Sequence, residues 1–250
     1  MLRITNIISH FAGLAAYCKL PTPLATLSVK TFAKLYNINI EEAAKPLSSY
    51  KTVGEFFTRD LKDGSRPIGD GIVSPVDGRL RNFGTINGDL IEQIKGRTYS
   101  IREFLVKPEY AQTFSNGYFY NFYLSPQNYH HIHASFSGKI VDKIHVAGSL
   151  LPVNDWSLTH CKEVFTRNER TILILDTSIG EMAIVMVAAL NVGGIELTKD
   201  LNTPDIQKGE RVGTFKLGST VVLLFERKEF TPVSLTPDQS IKYGESIALF

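Results

Sequence analysis

Five apolar runs constrain the fold of this chain more than any other feature: GYFYNFYL, GKIVDKIHV, RTILILD, EMAIVMVAAL and STVVLLF. Each is short, rich in β-branched or aromatic residues, and bounded by Gly, Asn, Asp or Pro, which is the pattern of strands. All of them lie after Pro67. Before that point, residues 41–70 read as helical and connective, and Thr52-Val-Gly-Glu55 forms a capping box ahead of Phe56 and Phe57. A second capping box, Ser100-Ile-Arg-Glu103, opens a short helix within the strand-rich part. No internal repeat or long linker interrupts the pattern. The sequence therefore predicts an α+β protein. Residues 1–69 form an N-terminal helical segment, and 70–250 form one mainly antiparallel β domain.

Charge and composition narrow the function. An apolar content of 43% supports a packed core, and a net charge of +2 is too small for a nucleic-acid binder. Cys18 and Cys161 lie far apart without metal-ligand spacing and read as reduced thiols. Residues 1–40 hold Arg3, Lys19, Lys30 and Lys34 but no acidic residue, leaving the rest of the chain slightly acidic. His10, Lys19, Pro21 and Pro23 break the early apolar runs, so neither a membrane span nor a cleaved signal peptide is expected. Thr22 with Pro23 starts a helix in which Thr26, Lys30 and Lys34 make a narrow polar stripe. Leu24, Leu27, Phe32, Leu35 and Tyr36 fill the opposite arc. A helix packed on its own domain would show a similar arc, but the missing acids favour helices lying on an anionic membrane surface.

Three places could carry chemistry. NYHHIHASFSG gathers His130, His131 and His133, and on a regular strand His131 and His133 share a face while His130 points the other way. Such a cluster suits acid–base work or, through His131 and His133, a metal ion. SPVDGRL places Asp77 before Gly78, where an ordinary Asp-Gly turn is the simplest account. FKLGSTVVLLF sets Gly218 and Ser219 inside an apolar run, where a glycine weakens a strand and a serine packs poorly. Asp77, a histidine and Ser219 could form an Asp-His-Ser set. On residues alone, a lipid hydrolase, a non-enzymatic barrel-sandwich module and a metalloenzyme all stay open.

SPVDG, YHHIH followed by Gly138, FTRNER, NVGGIE and KGERVGTFKLGST, together with SYKTVGEFFTRDL, resemble the phosphatidylserine decarboxylase family in its compact bacterial form. The resemblance covers nearly the whole chain. It implies a barrel-sandwich-like β domain and a self-cleavage between Gly218 and Ser219 into pieces 1–218 and 219–250 that remain together. It further implies that Ser219 becomes a covalent pyruvoyl cofactor, with no metal. His133 is then the general base for the Ser219 hydroxyl, Asp77 holds its tautomer, and His130 protonates the product, with His133 as the alternative donor. The pyruvoyl ketone condenses with the amine of phosphatidylserine and draws off electrons as carbon dioxide leaves. A bulge near His131 is expected, to bring His130 and His133 to one site. A homo-oligomer peripheral to the cytoplasmic side of the cell membrane is also expected. His131, Ser135 and Gly194 replace the Arg, Pro and Ser usual in the family, and none of them carries an assigned step.

Overall fold

A computed structural model of the chain describes residues 16–94, 97–189, 194–216, 219–226 and 230–250. Its centre is an eight-stranded sheet. In spatial order the strands are β11 (Asp205–Ile206), β7 (Gly138–Val146), β8 (Arg170–Thr177), β9 (Gly180–Ala188), β13 (Ser219–Phe225), β5 (Tyr118–Leu124), β2 (Gly78–Thr85) and β15 (Gln239–Ile241). Every neighbouring pair in it is antiparallel. The five apolar runs are β5, β7, β8, β9 and β13, and β13 lies between β9 and β5. The α+β class and the antiparallel pairing are thus observed. Pairing runs between two edges, β11 and β15, and does not establish a closed barrel-sandwich.

Strand alternation explains why β13 has no polar face. Val221, Leu223 and Phe225 enter one core with Phe122, Leu173 and Met186. Val222 and Leu224 enter a second core with Phe104, Phe165 and Val185. A strand covered on both sides reads as a continuous apolar run rather than an alternating one. Truncating a side chain such as Leu223 to alanine there costs roughly 2–5 kcal/mol.

Different layers cover the two faces. Over the first core lie β6 (His131–His133), β10 (Ile195–Leu197) and β12 (Arg211–Phe215), with β1 (Ile72–Val73), β14 (Thr231–Pro232) and β16 (Ser246–Leu249) beside them. Over the second lie the hairpin β3 (Leu90–Ile94) and β4 (Arg97–Ser100) and four short helices. The N-terminal part contributes α1 (Thr22–Leu35) and α2 (Val53–Phe57), and the four short helices are α3 (Ile101–Leu105), α4 (Pro108–Phe114), α5 (Asp155–His160) and α6 (Val164–Arg167). Both N-caps form: Thr52 Oγ1 accepts from Glu55 N–H at 3.0 Å and Ser100 Oγ from Glu103 N–H at 3.2 Å, while the Glu55 carboxylate accepts from Lys51 N–H at 2.7 Å rather than from Thr52.

Helix α1 buries its small residues and exposes its large ones. Ala25, Val29 and Ala33 are buried, and Val29 and Ala33 pack with Tyr50 and Phe56. Leu24, Leu27 and Leu35 are 53%, 60% and 73% exposed. No described helix is long and apolar enough to cross a membrane. The cationic segment expected at residues 1–40 lies partly, over 1–15, outside the described residues, as does Gly218. Cys18 and Cys161 are both free thiols.

Candidate active site

Ser219 is the first residue of β13, paired across to Leu124 on β5 and to Ala188 on β9. Its side chain is fully buried, and its Oγ has no hydrogen-bond partner among the described residues. A buried hydroxyl left unpaired costs about 1–3 kcal/mol, so its persistence calls for a reason.

Two chain segments lead from this end of β13 to the histidines. From Leu124 the chain turns through Ser125 and Asn128, where Asn128 Oδ1 accepts from the backbone N–H and the hydroxyl of Ser125 at 2.9 and 2.7 Å. It then reaches His130, whose carbonyl accepts from Phe215 N–H at 2.9 Å, just ahead of Ser219 in sequence. The register of β12 slips between Arg211 and Gly213, opposite His133 and Ile132. The irregularity expected at His131 therefore falls on the facing strand, while His131–His133 form regular β6. Glycine at 213 admits this close packing, with β10 on its other side.

His133 is clamped. Its Nδ1–H donates to Gly209 O at 2.8 Å, and its Nε2 accepts from the Tyr129 hydroxyl at 3.1 Å. The ring stacks on Tyr243 at 3.8 Å. Asp77 stands close by, because His133 N–H donates to Pro75 O at 2.8 Å. Its carboxylate, however, accepts from Arg66 Nε at 3.0 Å, from Arg66 Nη2 at 2.6 Å and from Tyr243 N–H at 2.9 Å. The expectation that Asp77 itself sets the His133 tautomer is thus corrected: the Gly209 carbonyl does so. Asp77 instead fixes the backbone of the tyrosine that stacks on the ring. Gly78 follows because a Cβ there would lie 2.5 Å from Tyr123 O on β5.

His130 faces elsewhere. Its ring packs on Phe57 at 3.9 Å, its Nδ1–H donates to Asn128 O at 2.8 Å, and its Nε2 is buried without a partner among the described residues. His131 ties layers together: its Nε2–H donates to Thr58 O at 3.1 Å, and its Nδ1 accepts from Thr214 Oγ1 at 2.6 Å. Burial pushes all three rings below the ordinary value, His130 to about 3 and His131 and His133 to about 4. They are neutral at physiological pH, and of their ring lone pairs only that of His130 Nε2 is unpartnered among the described residues. A cavity of about 430 Å3, lined by Arg66, Tyr129, His133, Arg211 and Tyr243 among others, opens onto the His133 ring.

Sequence reasoning did not single out Phe57, Arg59, Arg66, Tyr129, Gly209 or Tyr243. Arg59 and Phe57 lie in SYKTVGEFFTRDL, which carries a capping box and the family likeness but no pattern that marks either side chain, and that likeness is the one available signal. Of the three replaced positions, Gly194 has φ of 114°, which a serine would adopt only under strain. Ser135 is buried with its hydroxyl unpartnered among the described residues.

The fold is α+β, with a buried serine opening its central strand and three buried histidines on β6 and the turn before it. The family model for phosphatidylserine decarboxylase matches residues 53–249. The phosphatidylserine decarboxylase proenzyme of Myxococcus xanthus is 36% identical, covering 98% of this chain and 94% of its own length. That of Anoxybacillus flavithermus is 40% identical, with 88% and 84% covered. That of Bacillus anthracis is 38% identical, with 99% and 95% covered. The chain belongs to the phosphatidylserine decarboxylase family and is a carboxy-lyase.

Proposed function

We propose that this chain decarboxylates phosphatidylserine to phosphatidylethanolamine with a pyruvoyl group that it makes from Ser219 by cutting its own 218–219 bond. The observation that carries this reading is the Ser219 hydroxyl, buried and unpartnered at the start of a strand paired on both sides. The strand setting keeps the new 219 end in place once the backbone is cut.

His133 is the base for the Ser219 hydroxyl. Its Nδ1–H is fixed by Gly209, so the accepting lone pair is on Nε2. In the precursor that lone pair holds the Tyr129 hydroxyl, which must shift or relay the proton before attack. The Ser219 oxygen then adds to the Gly218 carbonyl, and the peptide nitrogen leaves to give an ester. Loss of the Ser219 Cα proton expels Gly218 as a carboxylate, and hydrolysis with release of ammonia leaves residue 219 as a ketone. Asp77, neutralised by Arg66, acts as a positioning residue through Tyr243.

A pyruvoyl group at 219 supplies a carbonyl that takes the substrate amine and withdraws electrons as carbon dioxide departs. The chain's own part is to hold the headgroup, exclude water and return a proton. His130 is the donor we assign, and since burial keeps its ring neutral it must first collect a proton. An anionic headgroup nearby raises its pKa toward that task. The exposed leucines of α1, with Lys30 and Lys34, seat the protein peripherally on an anionic membrane at its cytoplasmic side. A homo-oligomer of the two-piece protein completes the proposal.

Denaturing electrophoresis with intact-mass analysis tests the reading. The wild-type chain is expected as two pieces, 1–218 and 219–250, the shorter one blocked at its N-terminus. Ser219→Ala is expected whole and inactive. Decarboxylation that survives this substitution would refute the assignment.

A further inference from the structure

We propose that Arg59 is the anchor for the substrate headgroup, its Nε–H and Nη1–H holding the phosphodiester of the phospholipid beside His130. The inference rests on the phosphatidylserine decarboxylase reading above and adds a residue to it.

Arg59 is 5% exposed, yet only one of its three nitrogens is used. Nη2 donates to Gln127 O at 2.9 Å and to Asn128 O at 3.4 Å. Nε and Nη1 are buried and have no partner among the described residues. A buried cation in that condition is expensive. The same fold shows how it satisfies a guanidinium that is only structural. Arg66 is forked onto Asp77 and also pairs with Glu42. Arg170 places its three nitrogens on the carbonyls of Phe104, Thr166, Asn168 and Glu103. Arg59 differs from both in presenting two donors with nothing of the described protein to receive them.

Its location suits a phospholipid. The Asn128 carbonyl accepts from both Arg59 Nη2 and His130 Nδ1, so cation and imidazole flank one oxygen. His130 Nε2 is likewise buried and unpartnered among the described residues. On its other side the guanidinium lies 5.2 Å over the Phe56 ring, which packs edge-on against Tyr50 beneath α1. Arg59 therefore stands between the helix that exposes its leucines and the histidine segment that leads to Ser219. Along a phospholipid the phosphodiester occupies the same rank, between the acyl chains and the reacting serine carbon.

Two anions of the substrate could meet an arginine fork, and the chemistry selects between them. Negative charge leaves the carboxylate as carbon dioxide forms, so a cation on it would stabilise the ground state more than the transition state. The phosphodiester keeps its charge throughout, and the guanidinium fork matches its oxygens. Burial holds the pKa of Arg59 and of His130 below their ordinary values, and a fixed anion opposes both shifts.

The test uses full-length wild type, Arg59→Gln and Arg59→Lys, assayed on phosphatidylserine in mixed micelles, with each chain's splitting read on a gel. Arg59→Gln is expected to split normally. Its KM should rise roughly 10–100-fold, while kcat falls by less than about threefold. Arg59→Lys, which keeps the charge but not the fork, should fall between. Phosphatidylethanolamine, which has the phosphodiester and no carboxylate, should lose the same factor as a competitive inhibitor. A raised KM with unchanged inhibition by that product would overturn the proposal in favour of carboxylate binding. Unchanged KM, or failure of both variants to split, would overturn it too. A wild-type chain that turns over unsplit strikes the pyruvoyl reading instead and leaves the KM comparison standing.

Discussion

Asp77 meets one partner nearby in the chain, Arg66, 11 residues before it, and one far off, the Tyr243 N–H, 166 residues away. Substituting Asp77→Asn keeps an acceptor for Tyr243 but removes the charge opposite Arg66. Glu42 still pairs with that guanidinium, so the loss is smaller than for an orphaned buried cation. Urea unfolding should show about 2–3 kcal/mol less stability, and splitting should slow because a neutral acceptor holds Tyr243 less firmly against His133. Stability equal to wild type would mean that Glu42 alone compensates. Asp77, His130, His133 and Ser219 are all legible in the sequence, but spacing does not join them; family likeness does. The contact of Asp77 with Tyr243 is not legible, because no local pattern records a pairing between residues 166 apart, and the nearer one with Arg66 follows no regular helix or strand spacing.

At the scale of elements, strands were the readable part. The run from Gly138 to Val146 appears as β7 with the expected bounds, because alternating burial and bounding turns are local facts. The N-terminal helix was half readable. Its wide apolar arc is evident in sequence, but only the fold shows that Ala25, Val29 and Ala33 take the inner side and leave the leucines out. Replacing Leu24, Leu27 and Leu35 together by Gln should therefore leave the unfolding midpoint nearly unchanged, since exposed positions contribute within about 0.5 kcal/mol each. Co-sedimentation with anionic vesicles should fall by roughly 100-fold or more, from the apolar area no longer buried in lipid. Retained sedimentation would remove α1 from the membrane contact.

For the whole molecule, three neutral histidines sit where the N-terminal segment meets the sheets: Phe57 covers His130, and Thr58 receives His131. Their folded pKa values of about 3, 4 and 4 lie below the ordinary 6.5. Between pH 6.5 and about 4 the unfolded chain therefore binds more protons than the folded one. Stability is complete above that window and is lost as the pH falls through it. Urea midpoints should drop from pH 7.5 to 5, and less steeply in His131→Gln; a flat profile would contradict neutral burial.

Ser219 and the six residues after it are bracketed on both sides by β5 and β9. A prosthetic group built from such a residue cannot be swapped for a fresh one out of solution. On the proposed pyruvoyl reading each molecule is charged a single time, and chemical damage to that carbonyl would retire it permanently. Restoring activity then requires new translation, which makes the rate of protein synthesis the only means of replenishing the catalyst.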